Sequence, residues 1–429
     1  MSKIGFGGYR ISISSEEHTK ALENAIDAGV TLIDTSSNYT DGDSERLIGK
    51  VLSEKPRSTP FIVSKVGYIQ GQNLEVIKEL NEKELAVDDL VNISETLKHS
   101  IHPEFIEDQI HRTLERLGQK NIDVYLLHNP EYYLKEEGST KEDYYRRIAM
   151  AFDKLEELVE KGLISSYGIS SNTFIDPKEE HESTDLDVVF NIAKNLNDDH
   201  HFKYIQFPMN LLEMGALERQ YAGEHLIERA QKYGLKTMIN RPLNSFSEHG
   251  LLRLANYDVF EKYNTEGYAD EVFNKCIEPL VIKWLEVRED DGDKLFDIPV
   301  MKQIQSFWHK QNSKDAVEQI FGGHFFPLIA NIWGKNLTPE ESAPFYELFE
   351  HGIQFAKKNM NERSKQFENQ AINNGLLLES AKPLTQKVIE KYQSFGVDYI
   401  LVGMKHPDYV EDLKGCLLYT SPSPRDGLL

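Results

Sequence analysis

The sequence predicts a (β/α)8 TIM barrel that carries one large helical insertion between its seventh and eighth strands. Three observations point there. Eight short, apolar, β-rich runs recur along the chain, segments of helical periodicity separate them, and the spacing opens widely after the seventh run. Continuously apolar strands that alternate with helices mark a parallel sheet buried on both faces.

The runs are "KIGF" near Ile4, "TLID" at Thr31, "FIVSK" at Phe61, "DVYLLH" at Asp123, "SSYGIS" at Ser165, "YIQF" at Tyr204, "KTMIN" at Lys236 and "DYILVG" at Asp398. Behind the first, Ser14 and Glu17 form a capping box, Leu22, Ala25 and Ile26 share a helical face, and Gly29 ends the helix. Another helix opens with Pro103 in its first turn, carries Ile106, Ile110, Leu114 and Leu117 as an apolar stripe, and stops at Gly118. A further one places Phe152, Leu155, Leu158 and Val159 before Gly162.

The crossover from Lys65 to Asp123 is long, and that from Asn240 to Asp398 is far longer. Residues 244–382 therefore form an insertion. Its stretches "DEVFNKCIEPLVIKWLEV" and "AVEQIFGGHFFPLIANIW" have helical pattern, and it holds all three tryptophans. That composition predicts a packed helical subdomain, acting as a lid or in a structural role, with Phe321 in its core. The barrel comprises residues 1–243 and 383–415. The remaining residues, 416–429, include "CLLYTSPSPRD", which resembles the conceptual translation of a sequencing adapter and is read as a non-native tail.

The charge balance is acidic, 48 Lys and Arg against 70 Asp and Glu for a net charge of -22. This argues against a nucleic-acid backbone or an anionic membrane as the main partner. Two cysteines, Cys276 and Cys416, give no disulfide framework, and neither a signal-like apolar run nor an 18-residue apolar stretch occurs. The expectation is a cytoplasmic protein; its oligomeric state is left open. His102, His200, His201, His309 and His324 lack metal-binding spacing, so no metal is expected.

On such a barrel, a polar residue at the C-terminal end of a strand reads as catalytic. Strand two ends in Asp34, with Tyr39 in the loop after it, strand three in Lys65 and strand four in His128. All four face one mouth. A phenol is a poor acid at neutral pH, but a neighbouring ammonium stabilises its phenolate. Asp34 holds Lys65 charged, and His128 can hydrogen-bond a substrate oxygen or share the proton. Together they protonate a carbonyl oxygen while its carbon is attacked. With no nucleophilic Ser or Cys, metal-ligand cluster or Schiff-base constellation beside them, the attacking group is read as a hydride, which a cofactor must bring.

These segments resemble the aldo-keto reductases. The resemblance rests on "LIDTSSNYTDGDSERLIG", "IVSKVG", "DVYLLHNP" and "GLISSYGISSN", in that order, and covers Ile4 to Leu243 and Val397 to about Lys414. It implies Asp34, Tyr39, Lys65 and His128 as a catalytic tetrad, with Tyr39 the general acid. It also implies NADPH, with NADH possible, lying across the barrel mouth beside Asp34. Gly8 and Tyr9 of "GFGGYR" then border the cofactor, although the glycines read equally well as tight-turn residues. Ser171, Asn172 and Gln206 contact the nicotinamide carboxamide. In "INRPL", Asn240 takes the position that commonly stacks on the nicotinamide, Arg241 can pair with the pyrophosphate, and Leu243 closes the motif. Lys405, in "VGMKHPDYVED", faces the 2'-phosphate as a point charge. The implied activity is reduction of a small aldehyde or ketone to an alcohol. The alternatives are NAD-dependent oxidation of a sugar or secondary alcohol, and a cofactor-binding regulatory subunit with incidental catalysis.

Overall fold

Eight parallel strands close into a ring: β1 (Ile4–Gly7), β2 (Leu32–Asp34), β3 (Phe61–Val66), β4 (Ile122–His128), β5 (Ile164–Ser170), β6 (Phe202–Pro208), β7 (Lys236–Asn240) and β8 (Tyr399–Gly403). Each pairs with its sequence neighbours, and β8 returns to β1 in register, Ile4 opposite Ile400 and Gly7 opposite Gly403. The computed structural model describes residues 3–82, 90–247, 250–287 and 299–418. The expected tail lies outside them from residue 419 onward, whereas Cys416 and Leu417 are buried in the helix Pro407–Leu418.

Helices behind the strands follow their apolar stripes. In Pro103–Leu117, Ile106, Ile110, Leu114 and Leu117 are buried, Pro103 occupies the first turn, and Gly118 ends the helix in the left-handed conformation at φ 61°. The first helix, Glu16–Asp27, buries Ala21, Leu22 and Ala25. Its cap is Ser15 rather than the expected Ser14: Ser15 Oγ accepts from the His18 N–H, while Ser14 Oγ bonds Ser12 Oγ at 2.8 Å. Glu17 pairs with His406 Nδ1 at 2.8 Å.

The long crossover after β3 contains a small antiparallel sheet of Tyr68–Ile69, Leu97–His99 and Val91–Ser94, together with the helix Gln72–Glu82.

The chain divides into two units, Met1–Leu243 with Thr385–Leu429, and Asn244–Leu384. The second begins with a hairpin, Asn244–Ser247 and Gly250–Arg253, and continues as helices that include Tyr268–Val287 and the long Pro339–Asn373. Its own core gathers Phe273, Leu280, Trp308, Phe321, Phe325 and Leu348.

Inside the barrel, Leu32, Val63, Val124, Leu126, Met238 and Leu401 form one apolar cluster. Side chains alternate between strand faces with a period of two. The residues two positions beyond Leu32, Val63, Leu126 and Met238 are therefore also inward, one layer nearer the C-terminal mouth. They are Asp34, Lys65, His128 and Asn240. Gln206 joins them by the same rule, two beyond Tyr204, which packs against that cluster.

Candidate active site

Lys65 is the centre of this upper layer. Its side chain is fully buried, and its Nζ donates to Asp34 Oδ2 at 2.7 Å, to the Thr35 carbonyl oxygen at 2.9 Å and to the Tyr39 hydroxyl at 3.1 Å. Three acceptors satisfy three N–H bonds, which is what a buried ammonium needs. The other carboxylate oxygen, Asp34 Oδ1, accepts from Gln206 Nε2 at 2.8 Å. Burial lowers the Lys65 pKa from its ordinary value, while the Asp34 charge opposes that shift.

Tyr39 reaches this layer from the loop after β2. Thr40 and Asp41 both take left-handed backbone angles, φ 50° and 55°. Non-glycine residues adopt that region at a cost of about 1–2 kcal/mol each. Asp41 is tied down in return: its Oδ1 accepts from the Gln72 main-chain N–H at 2.9 Å, and its carbonyl accepts from Gln72 Nε2 at 2.6 Å. A neighbouring ammonium alone would lower the phenol's pKa. Instead burial, then the Asp34 charge, raise it well above 10, because both penalise a phenolate. Tyr39 is thus fully protonated near neutral pH.

His128 ends β4 with its ring edge-to-face against Tyr39, centroids 6.0 Å apart, and against Tyr68 at 4.7 Å. Its carbonyl oxygen accepts from His99 Nε2 at 2.7 Å. Burial, helped by the charge of Lys65 and by His99, holds its pKa well below 6.5, so the imidazole is neutral. Asp34, Tyr39, Lys65 and His128 are thus brought together at one mouth.

The remaining expected residues divide. Gly8 abuts Asp34: its N–H donates to the Asp34 carbonyl at 2.7 Å, and a Cβ there would lie 2.8 Å from that oxygen and from Ser44 Oγ, so glycine is required. Tyr9 is exposed, and its ring lies 5.2 Å from that of Tyr39. Asn172 is exposed beside Arg241, whose Nη2 lies 3.5 Å from Asn172 Oδ1. Asn240 donates to Gln206 Oε1 at 3.4 Å, and its own buried Oδ1 has no hydrogen-bond partner among the described residues. Leu243 is buried, and Lys405 follows the end of β8.

Ser171 and Gln206 both have protein partners. Ser171 turns away from the mouth: its Oγ caps the turn Asn172–Ile175 by accepting from the Thr173 N–H, and it bonds Thr173 Oγ1 and Thr184 Oγ1 in a buried hydroxyl cluster. Gln206 is committed at both ends, with Nε2 on Asp34 and Oε1 accepting from Ser170 Oγ at 2.9 Å. It braces the carboxylate with one of its two amide N–H groups.

Three further neighbours complete the site. Tyr68 walls the imidazole and accepts from Asn129 Nδ2 at 2.7 Å. Glu131, 2% exposed, accepts the Asn172 N–H on Oε1 at 2.8 Å, linking the rims after β4 and β5. Ser36 Oγ lies 3.2 Å from His128 Nδ1. Each sits within three residues of a strand end, which is the signal that could have found them.

The aldo/keto reductase family model matches residues 3–298. Among curated proteins, a D-threo-aldose 1-dehydrogenase of a Pseudomonas species is 29% identical over 175 residues, 39% of this chain and 49% of that protein. An NADH-specific methylglyoxal reductase of Escherichia coli is 24% identical over 161 residues, 38% and 43% of the two chains. A D-arabinose 1-dehydrogenase of Saccharomyces cerevisiae is 29% identical over 153 residues, 35% of each. The chain spans half or less of the length of these relatives. A solved glycerol dehydrogenase of Gluconobacter oxydans aligns with all of this chain and 89% of its own, at 15% identity and a TM-score of 0.48.

Proposed function

Because the chain belongs to the aldo/keto reductase family, we propose that it is an NAD(P)H-dependent oxidoreductase that reduces an aldehyde or ketone to the alcohol, with Tyr39 as proton donor. The observation that carries this reading is the bridge through Lys65, whose Nζ touches both Asp34 and the Tyr39 hydroxyl.

The residues at the mouth fit a nicotinamide cofactor. The unpartnered Asn240 Oδ1 is a buried acceptor suited to an amide N–H. Arg241 and Lys405 bring positive charge for phosphates, and the exposed Asn172 and Tyr9 flank the opening. NADPH, once bound, supplies a hydride to the carbonyl carbon. One curated relative is named an NADH-specific reductase. NADPH is the first choice through Lys405. NADH is the alternative, since the Glu17–His406 pair sets a carboxylate against that same loop.

As the carbon gains its hydride, the carbonyl π-electrons move onto oxygen, and Tyr39 gives its phenolic proton to that oxygen. The phenolate left behind keeps the Lys65 N–H, whose charge is held by Asp34. Asp34 is oriented in turn by Gln206. Water then returns a proton to Tyr39.

The test is to titrate the protein with NADPH and NADH and then assay turnover on a panel of aldehydes, ketones and sugars. Cofactor binding followed by carbonyl reduction is expected. Binding with no turnover on any member would favour the regulatory-subunit reading.

A further inference from the structure

At the end of β5 the strand ladder runs out just before the chain turns. The Ser170 carbonyl accepts from the Asn129 N–H at 2.7 Å, and the Ser171 N–H donates to the Gln206 carbonyl at 2.9 Å. The next two N–H groups, of Asn172 and Thr173, open the turn Asn172–Ile175 and so lack an acceptor within it. Side chains take both. Ser171 Oγ accepts from Thr173 at 3.1 Å, which is an ordinary local cap, whereas Asn172 donates to Glu131 Oε1 at 2.8 Å, a residue of the loop after β4.

Glu131 is a costly acceptor for that bond. It is buried, and its Oε2 has no hydrogen-bond partner among the described residues. It also stands on a fixed base. The turn that carries it, Pro130–Lys135, follows Asn129, whose backbone is left-handed at φ 51° and whose Nδ2 donates to the Tyr68 hydroxyl at 2.7 Å. Asn172 is thus held from two rims: its main chain by Glu131, and its side-chain Oδ1 by Arg241 Nη2, after β7, at 3.5 Å. The Asn172 side chain itself remains exposed at the mouth.

We propose that Glu131 is a positioning residue for the cofactor: by holding the Asn172 main chain through its N–H, it fixes where the Asn172 amide stands and so sets affinity for the nicotinamide end. This rests on the mouth being a nicotinamide-cofactor site, as argued above. An amide side chain has two donors and one acceptor oxygen, and they meet a carboxamide only at a set distance and tilt. With its N–H released, the Asn172 backbone can rotate and the match is lost. Adenosine and phosphate contacts do not depend on it.

The test compares each reduced cofactor with its counterpart lacking the nicotinamide, NADPH against 2'-phospho-ADP-ribose and NADH against ADP-ribose. Glu131→Leu, close in size but without an acceptor, should weaken the bound cofactor by about tenfold and leave the truncated ligand unchanged. Glu131→Gln, whose amide oxygen can accept the same N–H, should restore binding. If Glu131→Leu does not fold, Glu131→Asp, which withdraws the carboxylate by one methylene, carries the same prediction. Hydrogen–deuterium exchange of the peptide containing Asn172 should be faster in the Leu or Asp variant than in the wild type and the Gln variant. Equal weakening of whole and truncated ligands overturns the proposal, because it marks a general loosening of the rim. So does unchanged cofactor affinity, or a Gln variant as weak as the Leu variant. A wild type that binds neither NADPH nor NADH overturns the functional reading and this role with it, and faster exchange at Asn172 would then leave Glu131 a structural tie only.

Discussion

The buried ammonium of Lys65 donates a 3.1 Å hydrogen bond to the hydroxyl of Tyr39, so in the proposed reaction the group that accepts negative charge already sits on the group that compensates it. Neither could do this alone. Burial by itself makes the phenol a weaker acid, and in the proposed reaction the neighbouring ammonium offsets that by holding the phenolate.

Tyr39→Phe keeps the ring and removes the donor. Carbonyl reduction should fall by on the order of 10² to 10⁴, with cofactor Kd little changed. Stopped-flow turnover and fluorescence titration would check this, and near-wild-type turnover would sink the assignment of Tyr39 as general acid.

Asp34→Asn leaves a buried ammonium without its countercharge. Removing one partner of such a pair typically costs about 3–5 kcal/mol, so the urea midpoint should drop markedly. Activity should fall as well, because Lys65 is then free to lose its proton. An unchanged midpoint would mean that water reaches Lys65 in solution.

Glu131 gives a pH-dependent term. Burial pushes its pKa up to about 7 from an ordinary value of 4.5. The folded state therefore binds the proton more tightly than the unfolded chain. The stabilisation is fully present below about pH 4.5 and is lost as pH rises through about 7, by about 3 kcal/mol in all. Glu131→Gln does not titrate, so its stability relative to wild type should rise across that window and level off above it. Unfolding curves at pH 4.5, 6 and 8 decide; parallel curves for the two proteins would refute the shift.

Lys405→Ala should weaken NADPH by about tenfold and NADH hardly at all, if the lysine meets the 2'-phosphate. Equal weakening of both cofactors, measured by titration, would place Lys405 elsewhere on the rim.

The eight strands were legible because each is buried on both faces, which writes a continuous apolar run into the sequence. Asp34, Lys65 and His128 were legible because each interrupts such a run at its C-terminal end. The small sheet after β3 was not, since Asn92, Ile93 and Ser94 are exposed and its strands are too short to show alternation. The inward turn of Ser171 was hidden too: serine serves equally as a rim hydroxyl and as a cap, and the hydroxyls of Thr173 and Thr184 decided between them. Ser36 looked like loop filler because its partner, His128, arrives from two strands away.

At the opposite end of the barrel, Asp398 accepts from the Thr237 N–H at 3.0 Å and from Thr237 Oγ1 at 3.1 Å, fastening the start of β8 to β7 across the seam that residues 241–398 interrupt. Seen as polymer physics, that seam is a ring closure over a very long loop. Closure entropy grows with the logarithm of length, at about 0.6 kcal/mol per doubling. Stretching an ordinary crossover to this one amounts to roughly two doublings, or about 1 kcal/mol. The chain-closure cost of an inserted unit of this size is therefore smaller than the contribution of one good buried side chain. The heavier toll falls on folding speed, because the last strand cannot find the first until the whole excursion has been made.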